Sequence, residues 1–439
     1  MNNFRTGTLF SGRGIFVLVF FYSLSVGLLI QLVILPVVIP ALDAGHGLFK
    51  GGDWIGFHRE AMQLASRIRH EGWAVWELRP LGNAPIGITA AVYAFSGVSE
   101  PWILMPLNAA LFAVGATCLY MVFARVAPRQ LAFAATMPFV LFPSAAMIYG
   151  QIHKDVWSIA GVLLVTLVWV RFAVHPVLKW KDSALQGMLA LSGGLLIWLV
   201  RPYLVEVVLA ASVLTISVIA VRAVFARGVD SRHSLAWWAG TALSIALLVT
   251  FIGLPSGNLG NQISERRTNF VWYDLIPAFA DEAIATLGES RRRFTEGYPL
   301  AGSNIDTDVQ FHSAADVVRY IPRALAIGLF SPFPNLWGAS GVSPGADHMR
   351  LLAGIETVFA YLVMPGVLLL FMRRGTRGVT TVLLIQAIVP LIVLALTVSN
   401  VGTLYRMRYG YWQILIGLGT IGWGMLLLEW NARCRRNVR

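Results

Sequence analysis

Charge is what this sequence has least of. Asp, Glu, Lys and Arg make up 13% of its 439 residues, about half the share found in an average soluble domain. A water-facing surface for a chain of this length cannot be built from so few. Lysine is down to four residues against thirty arginines, cysteine to two, and no Asn-x-Ser/Thr sequon occurs. Cys118 falls inside an apolar run and Cys434 in a basic tail, depths too different for pairing, so no disulfide framework or thiolate cluster follows. A P-loop, a GxGxxG and a zinc-spaced His/Cys set are missing too, which removes the usual machinery of soluble nucleotide chemistry. The arginine bias and the missing sequon fit a bacterial inner membrane.

What the chain has instead is apolar length. Hydrophobic residues reach 57% and the mean hydropathy is +0.68. Runs such as 14–40, 103–123 and 351–372 approach or exceed the ~20 apolar residues that cross hydrocarbon as a helix. The net charge of +12 would suit nucleic acid if it formed one surface. It does not, because the positive residues recur in short clusters after alternate apolar runs: Arg125 and Arg129, then Arg171 with Lys179 and Lys181, then Arg222, Arg227 and Arg232. Arg373, Arg374 and Arg377 follow, and Arg433, Arg435, Arg436 and Arg439 close the series. With Arg5 and Arg13, that is the pattern of cytoplasmic loops. On that face 17 Lys/Arg meet only Asp182, Asp230 and Glu429, leaving about −2 for the remainder. The basicity is topological, and no nucleic-acid partner follows.

These clusters orient spans near 15–40, 103–124, 131–149, 155–173, 185–200, 203–225, 234–254, 351–372, 379–398 and 410–429. The expected fold is an all-α polytopic membrane protein of about ten transmembrane helices with both termini cytoplasmic. The first run is too long for a signal-peptide core and lacks a small-residue cleavage site, so it reads as a retained span. Segment 86–98 is apolar but short, and counting it as a span would invert every later basic cluster. It reads as an interfacial helix on the outer surface. Ahead of it, 53–70 spaces Ile55, Phe57, Met62, Leu64, Ala65 and Ile68 along one helical face. The organisation is therefore a membrane unit over 1–254 with a first external loop at 41–102 made of juxtamembrane helices. An external loop at 255–350 follows, with helices at 273–293 and 313–330 and Ser313 as N-cap. Spans and a basic tail fill 351–439.

Polar groups at the outer ends of spans are the informative ones, since charge near hydrocarbon is costly unless paired. Asp53, in KGGDW, reads either as an N-cap or as a general base or metal ligand. Asp155, in IHKDVW, has a capping reading as well, but His153 and Lys154 beside it make a site for an anionic headgroup or a deprotonated base. Lys154 taken singly reads as snorkelling. Arg201 in a short turn, and Arg406 and Arg408 in TLYRMRYGY, lie on the translocated side, where the topology rule does not account for them. Arginine suits bidentate phosphate contact, and the rival reading pairs Arg201 and Arg406 with Glu206 or Glu356. Arg291–Arg293 reads as a solvated run at a helix end. Trp54, Trp73, Trp76, Trp102, Trp157, Trp272, Trp337 and Trp412 form an aromatic belt or stack on sugars.

The order of these features resembles the GT-C glycosyltransferase superfamily, polytopic enzymes that use lipid-phosphate-linked sugars. The similarity lies in a first span followed by an early acid in GGDWIGFHREA, then the Pro-containing surface segment ELRPLGNAPIGITAAVYAFSGVSEP. A second span, LNAALFAVGATCLYMVFARVAP, and a second acid in LFPSAAMIYGQIHKDVWSIAG complete it, over roughly residues 15–175. The resemblance implies a periplasmic, inverting transfer of sugar from a polyprenyl-phosphate donor to a glycan, lipid or protein acceptor. Asp53 would be base, acceptor-orienting carboxylate or ligand of a divalent metal, with Asp155 assisting or sharing that metal. His153, Lys154, Arg201, Arg406 and Arg408 would hold the phosphate. Departures are the short chain without a separate carboxy-terminal soluble domain and a single Asp53 where some members carry an acidic pair. The alternatives are an oligosaccharide repeat-unit polymerase using the external arginines, a lipid-linked glycan flippase, and a non-catalytic assembly subunit. A flippase would show paired broken spans in two related halves, and the sequence has none.

Overall fold

A computed structural model describes residues 10–174, 180–225, 278–297, 299, 301–338 and 345–437. Among these, every regular element is helical: α1 (Gly12–Leu29), α2 (Asp53–Glu71), α3 (Ala84–Ser96), α4 (Met105–Phe123), α5 (Arg129–Leu141), α6 (Pro143–Tyr149), α7 (Asp155–Val174), α8 (Trp180–Val200) and α9 (Tyr203–Phe225). After these come α10 (Ala278–Gly297), α11 (Ala314–Phe330), α12 (Ala346–Val363), α13 (Gly366–Met372), α14 (Arg377–Thr397), α15 (Val401–Met407) and α16 (Tyr409–Asn437). Among the described residues, eight helical stretches are long and apolar enough to cross a membrane, and nine if the α5–α6 pair, bent by 67° at Phe142, is one span. The chain is a multi-pass helical membrane protein. Nine of the expected spans coincide with these stretches, and the tenth, at 234–254, lies outside the described residues. So do Arg227, Arg232, Lys179 and Trp272.

α7 is the axis of the bundle. Its sequence is apolar around the whole circumference, as a helix surrounded by protein requires, and 83% of its most apolar window is buried. It packs on α4, α8, α14 and α16. Contact with α8 is closest where glycine faces glycine: a Cβ on Gly161 would lie 2.6 Å from the Gly193 carbonyl oxygen, and one on Gly193 would lie 2.8 Å from that of Gly161. Small residues that let helix backbones touch replace the hydrophobic drive that lipid removes. Because α7 starts and α8 ends at the same end of the bundle, this contact brings Asp155 and the turn after Val200 together.

The first loop folds as the periodicity predicts. α2 turns Phe57, Ala61, Leu64, Ala65 and Ile68 onto Ile86, Ala90 and Tyr93 of α3. At 13 residues, α3 is about 20 Å long and falls short of a bilayer core, while Phe95 at its end is 88% exposed. In the second loop, Ser313 caps α11 in a reciprocal capping box with Asp316. The expected helix at 273–293 is seen as α10, Ala278–Gly297.

Two arginines expected at the surface or the site, Arg291 and Arg408, are structural. Arg291 is 2% exposed: it donates to the carbonyls of Asp306 at 2.6 Å and Val309 at 3.1 Å and stacks on Tyr320 at 5.0 Å. The run Arg291–Arg293 is thus split, and only Arg292 and Arg293 are solvent-facing partners of Glu289. Arg323 pairs with Asp306 at 2.9 Å, and that hydrogen bond draws the Asp306 carboxyl below its usual range. Arg408, assigned to phosphate from its sequence position, is fully buried. It donates to the carbonyls of Ile327 at 3.1 Å and Gly328 at 2.6 Å, and to the Ser331 hydroxyl and carbonyl. A fixed cation thereby satisfies the last carbonyls of α11, where the helix dipole is negative.

Arg408→Met should leave those carbonyls buried without a donor, a loss on the order of 3 kcal/mol, with Arg408→Lys recovering part. Thermal unfolding in detergent measures it, and an unchanged midpoint for Arg408→Met would remove the capping account.

Candidate functional site

The site lies where α2, the 150–154 segment, the α8–α9 turn and α15 converge. Asp53 is the first residue of α2. Gly52, not Asp53, holds the N-cap position, and no side chain caps the helix. A side chain at Gly52 would collide with the Trp54 indole, 2.1 Å from a Cβ placed there. The capping reading of Asp53 is therefore replaced: its carboxylate is 63% exposed and faces Arg406, with Nη2 4.0 Å from Oδ2.

The 150–154 segment is strung on side-chain struts. Gln31 donates to the Gly150 carbonyl at 2.8 Å, Asn108 to the carbonyls of Tyr149 at 3.1 Å and Gln151 at 2.9 Å, and Gln151 accepts from the Phe49 N–H at 3.2 Å. Irregular backbone at this depth needs such partners, because each unmet polar group costs free energy. The struts fix His153, and with it Asp155, which is fully buried.

Asp155 does not cap its own helix either. One oxygen takes a short hydrogen bond from Arg201, and the other lies 2.9 Å from His153 Nδ1. On the far side of the ring, Arg406 Nη1 is 3.0 Å from Nε2. A guanidinium only donates, so Nε2 is the accepting nitrogen. The Asp155 N–H points at Nδ1 from 3.1 Å, and His153 bridges Asp155 to Arg406, which faces Asp53. Arg201 also donates to the Tyr203 hydroxyl at 2.6 Å. Burial alone would lower the affinity of Arg201 for its proton, but the adjacent Asp155 charge outweighs it and holds the guanidinium firmly protonated. The rival pairing is not seen: Glu206 is exposed, and Glu356 accepts from the Ser144 N–H at 2.8 Å, the Ser144 hydroxyl at 2.6 Å and the Tyr405 hydroxyl.

Lys154 sits over the Phe57 ring, 5.3 Å from its centroid. Burial, then the nearby Arg201, pulls its pKa down, while Asp53 and Asp155 push it up. The last charge acting on it is Arg79, which the sequence reading passed over. Arg79 lies 5.4 Å over the Trp198 ring, and its Nε is buried without a partner, as is that of Arg201. In the sequence ELRP it is one arginine in a loop, and nothing local distinguishes it. Five of the expected residues (Asp155, His153, Lys154, Arg201 and Arg406) thus stand with Asp53 in one cluster, Arg79 joins it, and Arg408 is elsewhere. Arg266 and Arg267 lie outside the described residues.

On its other side His153 closes a small recess, little larger than a water molecule, walled by Ile88 of α3, Leu104, Leu107 of α4, Ile152 and Trp157, with Thr89 and Asn108 as polar points. Trp54 packs at 5.6 Å from the His153 ring. The cluster does not suit a divalent ion: Asp155 is held by Arg201, Asp53 faces a guanidinium, and among the described residues no three His, Cys, Asp or Glu side chains converge. A second histidine contact lies farther along loop one. His58, 4% exposed, has its ring 4.8 Å from that of His46, and its pKa is lowered to about 4 by burial and then by His46. No family model matches the chain, and no curated protein matches it.

Two outcomes follow from the buried pair. Arg201→Met should destabilise the protein by about 3–5 kcal/mol by stranding the Asp155 charge, and adding Asp155→Asn should return most of it. Equal melting losses in the single and double variants would show that the two groups are not coupled. Since the Lys154 ammonium is disfavoured by burial and by Arg201, inorganic phosphate bound beside it should weaken as pH rises through that lowered pKa. A binding titration on Lys154→Arg should be flatter over the same range.

Proposed function

We propose that the chain is a membrane glycosyltransferase of the GT-C kind, moving a sugar from a polyprenyl-phosphate donor to an acceptor hydroxyl on the periplasmic side of a bacterial inner membrane. What supports the reading is one juxtaposition: a cluster of cations with a carboxylate at its open edge, set at the ends of membrane-spanning helices. An amphiphile suits that position, its anionic head meeting the cations while its hydrocarbon chain stays in the surrounding lipid. Arg and Lys side chains with unpaired N–H groups suit phosphate oxygens.

Asp53 is the base in this reading. It is the exposed carboxylate, so an acceptor can reach it, whereas Asp155 is enclosed and serves to position Arg201 and His153. The acceptor oxygen forms a bond to the anomeric carbon as its proton passes to Asp53. The bond from that carbon to the phosphate oxygen breaks, and its electron pair leaves with the phosphate. Attack opposite the leaving group inverts the configuration. Arg406 and Arg201 meet the charge that develops on the phosphate, at fixed positions that need no reorganisation during the reaction. His153 orients Arg406 by accepting its hydrogen bond. No step requires a metal from these residues.

A repeat-unit polymerase would call on the same outer arginines, and the enclosure of Arg408 among the carbonyls of α11 removes it from both readings. Asp53→Asn decides most. Turnover of a lipid-linked sugar by purified protein in vesicles should fall by about 10²–10⁴-fold, with expression and melting unchanged. Wild-type turnover in that variant would remove Asp53 from the chemistry.

A further inference from the structure

The charges in the cluster do not cancel. Arg201 meets Asp155 and Arg406 meets Asp53, Lys154 stands beside both acids, and Arg79, held over Trp198 at the end of α8, acts on Lys154; His153 accepts from Arg406. Arg79 and Lys154 are therefore the uncompensated pair. Both are placed by aromatic rings rather than by acids, Arg79 on Trp198 and Lys154 on Phe57. Stacking holds a cation in position without neutralising it. The buried, unpartnered Nε atoms of Arg79 and Arg201 are donors still waiting for an acceptor.

We propose that Arg79 is a phosphate ligand of this site and that the excess of two positive charges fits it to a carrier bearing a single phosphate. The inference rests on the glycosyl-transfer reading above. A sugar joined to a lipid monophosphate is a diester with one negative charge. Once the sugar leaves, the lipid phosphate is a monoester with a charge of about −1.5 to −2 at neutral pH. The site is therefore overcharged for the donor and balanced for the departing phosphate, which is the difference that accelerates a reaction. A diphosphate carrier would leave with a further negative charge, unmatched at the edge of hydrocarbon. Arg79 supplies the charge that matters only as the bond breaks.

The test uses full-length protein in lipid vesicles, titrated with a polyprenyl monophosphate and with the matching diphosphate, alongside donor turnover. The wild type should prefer the monophosphate by about tenfold. Arg79→Gln should weaken monophosphate binding by about ten- to a hundredfold, the value of a charge-assisted hydrogen bond. It should lower kcat far more than it raises the donor KM, because one excess charge still matches the diester. Arg79→Lys should restore much of kcat, which guards against a folding defect, and Lys154→Gln should give the same split. Tighter diphosphate binding, unchanged monophosphate affinity in Arg79→Gln, or an effect confined to KM would overturn the proposal while leaving glycosyl transfer standing. Monophosphate preference lost in Arg79→Gln, with no sugar moved by the wild type, would uphold the charge match and end the transferase reading. Binding of neither lipid would end both.

Discussion

The enclosed pair of Asp155 and Arg201 is the constraint on which the rest of this end of the molecule depends. A carboxylate without solvent exposure persists only if its charge is met by donors already in place. Arg201 can meet it because α8 touches α7 backbone to backbone at Gly161 and Gly193, which sets where the α8–α9 turn falls. His153 can meet it because Gln31, Asn108 and Gln151 hold an irregular segment in one shape. Arg406 is then placed through His153, and Asp53 faces Arg406. The order runs from buried to exposed, and each group is positioned by the one beneath it.

That order also separates two carboxylates that look equivalent on paper. Asp53 and Asp155 each begin a helix, and each had a capping explanation. The structure gives neither a cap. Asp155 is consumed by its neighbours, while Asp53 keeps 63% of its side chain in contact with the exterior. In the proposed transfer, chemistry on the acceptor would belong to Asp53, and the organisation of cations to Asp155.

Much of the helical plan was legible in the sequence because lipid enforces it. Apolar length and the register of basic clusters mark spans with little ambiguity, and the 3.6-residue spacing in 53–70 marks α2. The clustering of polar residues was legible at span ends, where charge is unexpected. The reading failed for Arg408, taken for a phosphate ligand, and for Arg291, taken as solvated, since sequence shows an arginine's depth along the chain but not which carbonyls it will meet. Arg79 was missed for the opposite reason: its partner ring, Trp198, lies more than a hundred residues away, and no local pattern links ELRP to the end of α8. The glycosyltransferase resemblance concerns order along the chain, whereas the geometry speaks to something order does not reach, the gathering of cations from four separate segments around one buried carboxylate.

Three nearly consecutive side chains at the end of α15 and its C-cap point to three different parts of the molecule. Tyr405 reaches Glu356 of α12, Arg406 reaches His153, and Arg408 reaches the end of α11. A seven-residue helix so tethered has no independent freedom, and Arg406 inherits its position from contacts made on the opposite faces. In a genetic screen, inactivating changes would then scatter over Ser144, Glu356, Gly328 and Arg408, and mapping them as contacts would draw the substrate footprint far larger than it is.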